Sequence, residues 1–154
     1  MSVTAALEVA LIGLDEAPPG LDASALDRWL VEVVRVLCPE AVSMGVRFVG
    51  DQEMRDIHRR YRGRDHSTDV LSFPGDDTPE GRHLGDLVVS LERASSQAAE
   101  SGLTLDQEVR ELLLHGVLHC LGQDHETDQG EMDRLELELR RRFVAAPFPA
   151  GQRA

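Results

Sequence analysis

The sequence predicts an α+β fold: a small mixed β-sheet of about four strands packed with about five helices, and a metal site on a helix of the C-terminal half and the turn after it. Three patterns lead there. Short apolar or alternating runs, bounded by Pro, Gly and Asp, recur as far as Leu91. Helical spacing then dominates to Phe143. One of these helices carries histidines four residues apart, followed by a glycine and a third histidine.

Taken in order, Val3 to Gly13 reads as a first strand, and Pro18-Pro19-Gly20 breaks the chain. Leu26, Trp29, Leu30, Val33, Val34 and Leu37 recur at helical spacing behind Asp22 or Ser24 as a cap, and Pro39 stops that helix. From Val42 to Gly50 the alternation is that of a strand, with Val42, Met44, Val46 and Phe48 on one face. Asp51 then caps a helix to about Tyr61. Asp69 to Phe73 and Leu87 to Leu91 read as short strands separated by a polar loop with Asp76, Asp77, Pro79 and Gly81. A short helix begins at Ser90 or Arg93 and ends near Gly102. Thr104, with Gln107 three residues on, has the form of a capping box. Behind it Val109, Leu113, Leu114, Val117, Leu118 and Leu121 continue to Gly122. A final helix from about Asp128 sets Met132, Leu135, Leu139 and Phe143 on one stripe. Residues 1–144 are expected to form a single domain, and 145–154, with two prolines, a flexible tail.

A length of 154 residues suits one domain, and 42% apolar content suffices for a core. No apolar run approaches the roughly 18 residues that span a bilayer, and no basic residue precedes Arg28, so a cytoplasmic protein without membrane partners is expected. Net charge is −12 and every basic residue is Arg. Such a chain is a poor general ligand for nucleic acid, and DNA is not an expected partner. The charge is uneven, however: Glu100 to Leu139 holds eleven acids and two arginines, whereas Arg55 to Arg64 holds five arginines and one Asp. A polyanion would bind at the second segment, which otherwise reads as a solvated helix face. Cys38 and Cys120 form no metal-spaced set and read as buried free thiols. On a helix Cys120 points about 100° away from His119, against a ligand role.

The segment His115-Gly-Val-Leu-His119-Cys-Leu-Gly122-Gln-Asp124-His125 carries the chemistry. Histidines four apart stack on one helix face and can reach one ion. Gly122 can end the helix in the left-handed conformation and turn His125 back to the same ion. Three imidazoles plus water make an open, catalytic type of zinc site, although nickel, cobalt or copper also accept imidazole. Glu108 and Glu111 share the histidine face, and either could orient a ligand. The spacing is that of the elongated zinc-protease pattern, but position 116 is Gly where that pattern has its Glu general base.

The motif His115-Gly-x-Leu-His119-x-x-Gly122-x-Asp124-His125 resembles the signature of the YbeY-type endoribonucleases, the rRNA maturation factors. Tyr61-Arg62-Gly63, Thr68-Asp69-Val70-Leu71-Ser72-Phe73-Pro74 and Gly85-Asp86-Leu87-Val88-Val89-Ser90 agree with it in order, and the resemblance runs from about Val42 to Phe143. Ser67 departs from the proline common there and bears only on loop rigidity. The resemblance implies a single-strand-specific, metal-dependent endoribonuclease acting in 3′-end maturation of small-subunit rRNA and in ribosome quality control. It implies one Zn2+ per chain on His115, His119 and His125, catalytic roles for His115 and Arg62, and as partners single-stranded RNA, rRNA, the small ribosomal subunit and its assembly factors.

That chemistry is physically coherent. Attack on a phosphodiester builds charge on non-bridging oxygens, which zinc can polarise and the Arg62 guanidinium can hold in a fork. Read without the resemblance, Arg62 is better taken as a surface arginine or a partner of Asp65 or Asp69. Arg59, Arg60 and Arg64 would hold flanking phosphates. Asp86, Asp124 and Glu111 are candidates for a general base. Aromatic residues are 4% of the chain, and Tyr61 alone stands near the arginines, so backbone recognition with weak sequence preference is expected. Two other readings remain: a non-catalytic ribosome assembly factor with structural zinc, and a zinc peptidase, which Gly116 disfavours.

Overall fold

The computed structural model describes residues 6–15, 19–62, 68–122 and 130–144; the side chains of residues 62 and 131–133 lie outside that description. The expected tail from residue 145 and the start of the first strand at Val3 therefore fall outside it as well. The chain runs β1 (Glu8–Ile12), α1 (Ala23–Leu37), β2 (Ala41–Val49), α2 (Asp51–Arg62), β3 (Val70–Pro74), β4 (Asp77–Thr78), β5 (Gly81–Ser90), α3 (Leu91–Ser101), α4 (Leu105–Cys120) and α5 (Glu131–Leu139), and a π-helical turn, Arg140–Val144, continues α5. The strands lie in the order β1-β2-β5-β3, with β4 paired to β5 beyond that path. β1, β2 and β5 are parallel, while β3 and β4 run antiparallel to β5. The mixed sheet and the five α-helices are those the sequence predicts, and β4 is an addition.

That addition comes from the segment read as a polar loop. Asp77–Thr78 folds back on Gly81 and Arg82. Thr78-Pro79-Glu80-Gly81 has Pro second and Gly fourth, the preferred places in a tight turn, and the Thr78 hydroxyl donates to the Gly81 carbonyl at 2.6 Å. β5 therefore begins at Gly81 rather than Leu87. Its first residues are only half-buried, so no apolar alternation marks them.

β5 is central and buried on both faces, as a parallel-sheet strand beneath helices must be. Leu84, Leu87 and Val89 join the main core under α1, α3 and α4, whereas Val88 joins Val49, Leu71 and Met54 in a second cluster under α2. Local signals set the helix starts. Asp22 accepts from the Ser24 and Ala25 N–H groups at 3.0 and 3.2 Å. Thr104 and Gln107 close the capping box, with N–H to side-chain oxygen distances of 2.9 and 3.1 Å. α4 is the central helix. Val109, Leu112, Leu113, Leu114, Val117, Leu118 and Cys120 bury most of its circumference, and α1, α3, α5, β3 and β5 all pack on it. Beyond its first turns, the strip carrying Glu111, His115 and His119 is left partly open. No helix among the described residues is long and apolar enough to cross a membrane.

Candidate functional site

One turn of α4 separates His115 from His119, and the packing of the rest of that helix aims both at the same opening. Their ring centroids lie 4.4 Å apart at 63°. The two Nε2 atoms approach to 2.9 Å. Both line a cavity of about 830 Å³, walled by β3 residues such as Ser72, by Glu108 and Glu111 of α4, and by Glu136 and Arg140 from the end of the chain. His58 of α2 also lines it, though His58 is itself buried.

A carboxylate that the sequence did not point to meets one of the histidines. His115 Nδ1 meets Glu136 Oε1 at 2.6 Å. Glu111 faces Arg140, with Oε1 3.8 Å from Nη1, and Arg140 Nη2 stands 3.9 Å from the second oxygen of Glu136. Glu108 lines the wall and is buried. The Glu136 carboxylate comes from the facing helix α5, 21 residues along the chain from His115. Glu136 and Arg140 carried one sequence signal: Glu136 is four residues after Met132 and three before Leu139, within the stripe expected to be buried. A carboxylate in such a stripe needs a partner.

Other expectations sort as follows. His125 and Asp124 lie outside the described residues. The backbone of Arg62 closes α2 one turn after His58; its side chain lies outside the description. Asp69, named as a possible partner of Arg62, pairs with Arg93 at 3.2 Å, and both line the cavity. Asp86 is not among the cavity-lining residues. It is bound by His83 Nε2 at 3.0 Å, while His83 Nδ1 and the Ser43 hydroxyl are 2.7 Å apart, so this trio clasps β5 to β2. Of the three base candidates, Glu111 is the one placed on the cavity wall among the described residues.

Two imidazole nitrogens each about 2.0 Å from one tetrahedral ion stand roughly 3.3 Å apart. The observed 2.9 Å between the Nε2 atoms is close to that span, and Nδ1 of His115 is already engaged by a carboxylate, the common arrangement behind a zinc-bound imidazole. Among the described residues no group of three or more His, Cys, Asp and Glu is placed to hold a metal. The pair therefore fits as part of a metal site that would need a further donor, and position 125 is the one the sequence offers.

The position after His115 faces the other way. A Cβ on Gly116 would stand 2.8 and 2.9 Å from the two Leu87 methyl carbons, and Leu87 is fully buried. Glycine here lets α4 approach β5. The side of the helix that carries the general base in zinc proteases is, in this chain, packed on the sheet.

Cys120 is buried behind the site rather than in it, and its Sγ would stand 2.7 Å from a Cβ on Gly85. Burial, reinforced by the negative charge of Asp86 and opposed by Arg82, pushes its thiol up to about 11. Burial also raises Cys38, with Glu40 adding to it. Both thiols are expected to resist a disulfide reagent at pH 8 and to react only on unfolding. A native thiolate fraction roughly a hundredfold below that of a free thiol slows Cys120 accordingly. Rapid native labelling of either residue would contradict the burial. Because the folded value is raised, the stability tied to Cys120 is present below about pH 8.5 and is lost as pH rises through about 11.

Comparison with known proteins completes the assignment. The family described as Endoribonuclease YbeY matches residues 18–144. A relative of that name from Solibacter usitatus (strain Ellin6076) is 43% identical over 124 residues, which cover 80% of this chain and 81% of the relative. Another, from Koribacter versatilis (strain Ellin345), is 50% identical over 95 residues, covering 62% of this chain and 60% of its own length. The solution structure of TM1509 from Thermotoga maritima superposes with a TM-score of 0.60 at 25% identity, covering 93% of this chain and 99% of that one. With the mixed sheet, the histidine pair on α4 and a family match over most of its length, the chain belongs to the YbeY endoribonuclease family.

Proposed function

We propose that this chain is a single-strand-specific endoribonuclease dependent on one zinc ion, acting in 3′-end maturation of small-subunit rRNA and in ribosome quality control, in the cytoplasm. The observation that carries the reading is the pair of α4 imidazoles, 2.9 Å apart and open to a large cavity, in a member of this family. His115, His119 and His125 would hold the ion. When bound, zinc supplies a hydroxide near neutral pH and polarises a phosphoryl oxygen. The remaining work falls to the chain's own residues. Arg62 forks a non-bridging oxygen and stabilises the charge that develops there. His115 holds the site in register through its hydrogen bond to Glu136. Glu111, on the cavity wall, is the candidate to take a proton from the attacking water.

Recognition follows from α2. Arg55 and Arg59 are half-neutralised by Asp51 and Asp56, at 4.0 and 3.3 Å; the two arginines are exposed and the two carboxylates half-buried. Tyr61 is 61% exposed and packs edge-on against Phe73 with centroids 5.5 Å apart, which leaves a ring face for one unpaired base. With two or three phosphates held by Arg59, Arg60 and Arg64, affinity for a single strand is expected to fall roughly tenfold between 50 and 200 mM salt. Fluorescence anisotropy with a labelled oligonucleotide measures this, and a salt-independent affinity would remove α2 from the interface.

Metal analysis of the purified protein alongside a cleavage assay tests the function. One equivalent of zinc, cleavage of single-stranded RNA, sparing of a duplex and loss of activity after chelation are the expected results. Zinc-loaded protein that leaves single-stranded RNA intact would sink the proposal. Co-sedimentation with small ribosomal subunits tests the partner.

A further inference from the structure

Glu136 comes from a helix that carries none of the proposed metal ligands, yet it is among the most firmly held groups at the site. Its side chain is 10% exposed. One oxygen lies 2.6 Å from His115 Nδ1, and the other faces the Arg140 guanidinium at 3.9 Å. A carboxylate flanked by a guanidinium accepts hydrogen bonds and donates none, so the hydrogen of this contact belongs to His115 Nδ1. The lone pair of His115 is thereby assigned to Nε2, the atom that faces His119 at 2.9 Å.

We propose that Glu136 is a positioning residue: it fixes the tautomer and ring angle of His115, so that docking of the last helix on α4 prepares the metal site. An imidazole without such a partner samples both tautomers, and rotation about its Cβ–Cγ bond is soft. Here one hydrogen bond selects one of each. Arg140 adds the second constraint. It lies between Glu136 and Glu111, 3.9 and 3.8 Å from their oxygens, and ties the carboxylate to α4 at two points. The π-helical turn after α5 is itself anchored, since the Trp29 indole N–H donates to the Phe143 carbonyl at 2.7 Å. α1, the π-helical turn, α5 and His115 thus form one connected series. Removing a carboxylate of this kind from behind a ligand imidazole weakens metal binding roughly tenfold to a hundredfold.

The proposal rests on the metal reading above, but its core is testable without metal. In metal-free protein at a pH above the ordinary imidazole range, correlation of the imidazole nitrogens with their ring protons reports the His115 tautomer. The wild type is expected to show Nδ1–H. Glu136→Ala is expected to show a mixture, and Glu136→Gln, whose amide oxygen still accepts, to keep Nδ1–H. Competition for zinc against a chromophoric chelator should then rank wild type tightest, Glu136→Gln intermediate, and Glu136→Ala weakest by tenfold or more. A purely structural role, seating α5 on α4, predicts altered melting with tautomer and affinity unchanged, and that result overturns the proposal. If Glu136→Ala does not fold, Glu136→Leu, which fills the space without an acceptor, decides: a wild-type His115 tautomer with unchanged zinc affinity overturns the proposal, and a tautomer mixture with weakened affinity supports it. Wild-type protein that binds no zinc defeats the metal reading by itself, while the tautomer result still decides whether Glu136 sets His115.

Discussion

With His119 replaced by alanine, the protein is expected to keep its fold and, if it uses zinc as proposed, to lose RNA cleavage. The two halves of this expectation have separate causes. His119 lies on the open strip of α4, half-exposed, with its ring against His115 rather than inside the core. Its removal creates no buried cavity, so the metal-free protein should melt within a few degrees of the wild type. The metal is a different matter. On the zinc reading proposed above, two imidazoles would have to do the work of three, and without the ion the nucleophile would be ordinary water, whose pKa of about 15.7 leaves almost no hydroxide at neutral pH, against about 7 when zinc-bound. Cleavage should fall to the level of chelator-treated wild type. Thermal shift gives an independent readout. At a hundred times the dissociation constant, a ligand that binds only the folded state adds about 2.7 kcal/mol, so zinc should raise the melting point of wild type and leave that of His119→Ala unmoved. Undiminished cleavage and an undiminished zinc shift in the variant would remove His119 from the site.

What the sequence made legible is what depends on local geometry. Residues four apart on a helix must share a face, so the pairing of His115 with His119 is readable from their spacing alone. The caps at Asp22 and Thr104 are readable for the same reason: each is a contact between residues two or three apart. What failed to show depends on approach between distant segments. Glu136 reaches His115 across 21 residues, and no period in either helix encodes which acid will arrive. β4 and the start of β5 escaped because their pairing is held by backbone hydrogen bonds among exposed and half-buried residues, which leave no apolar alternation. The spacing of α4 reads as an amphipathic helix with one buried stripe. Packed on most sides, the helix also buries Leu112, Gly116 and Cys120, which lie off that stripe. His58, six per cent exposed yet lining the cavity, had no motif to announce it.

Gly116→Glu, the substitution that would complete the zinc-protease pattern, is expected to unfold the protein rather than make it a peptidase. The helix dictates this. Positions 115 and 119 look into the cavity, and position 116 lies about 100° around the helix, where even a β-carbon would come within 2.9 Å of both Leu87 methyl carbons. Leu87 is 1% exposed in the middle of β5, with Val46 and Val89 beside it in the core, so it has nowhere to move. Overpacking alone costs about 1–3 kcal/mol, and a carboxylate forced in without a partner adds several more. The sum approaches the roughly 5–15 kcal/mol that holds a domain together. Urea unfolding should show a midpoint near zero or no cooperative transition at about 25 °C. The smaller Gly116→Ala should show a partial loss in the same direction. A folded Gly116→Glu that hydrolyses a peptide substrate would mean that α4 is rotated about its axis, and with it both histidines; a cooperative melt near that of the wild type would already be enough to require that rotation.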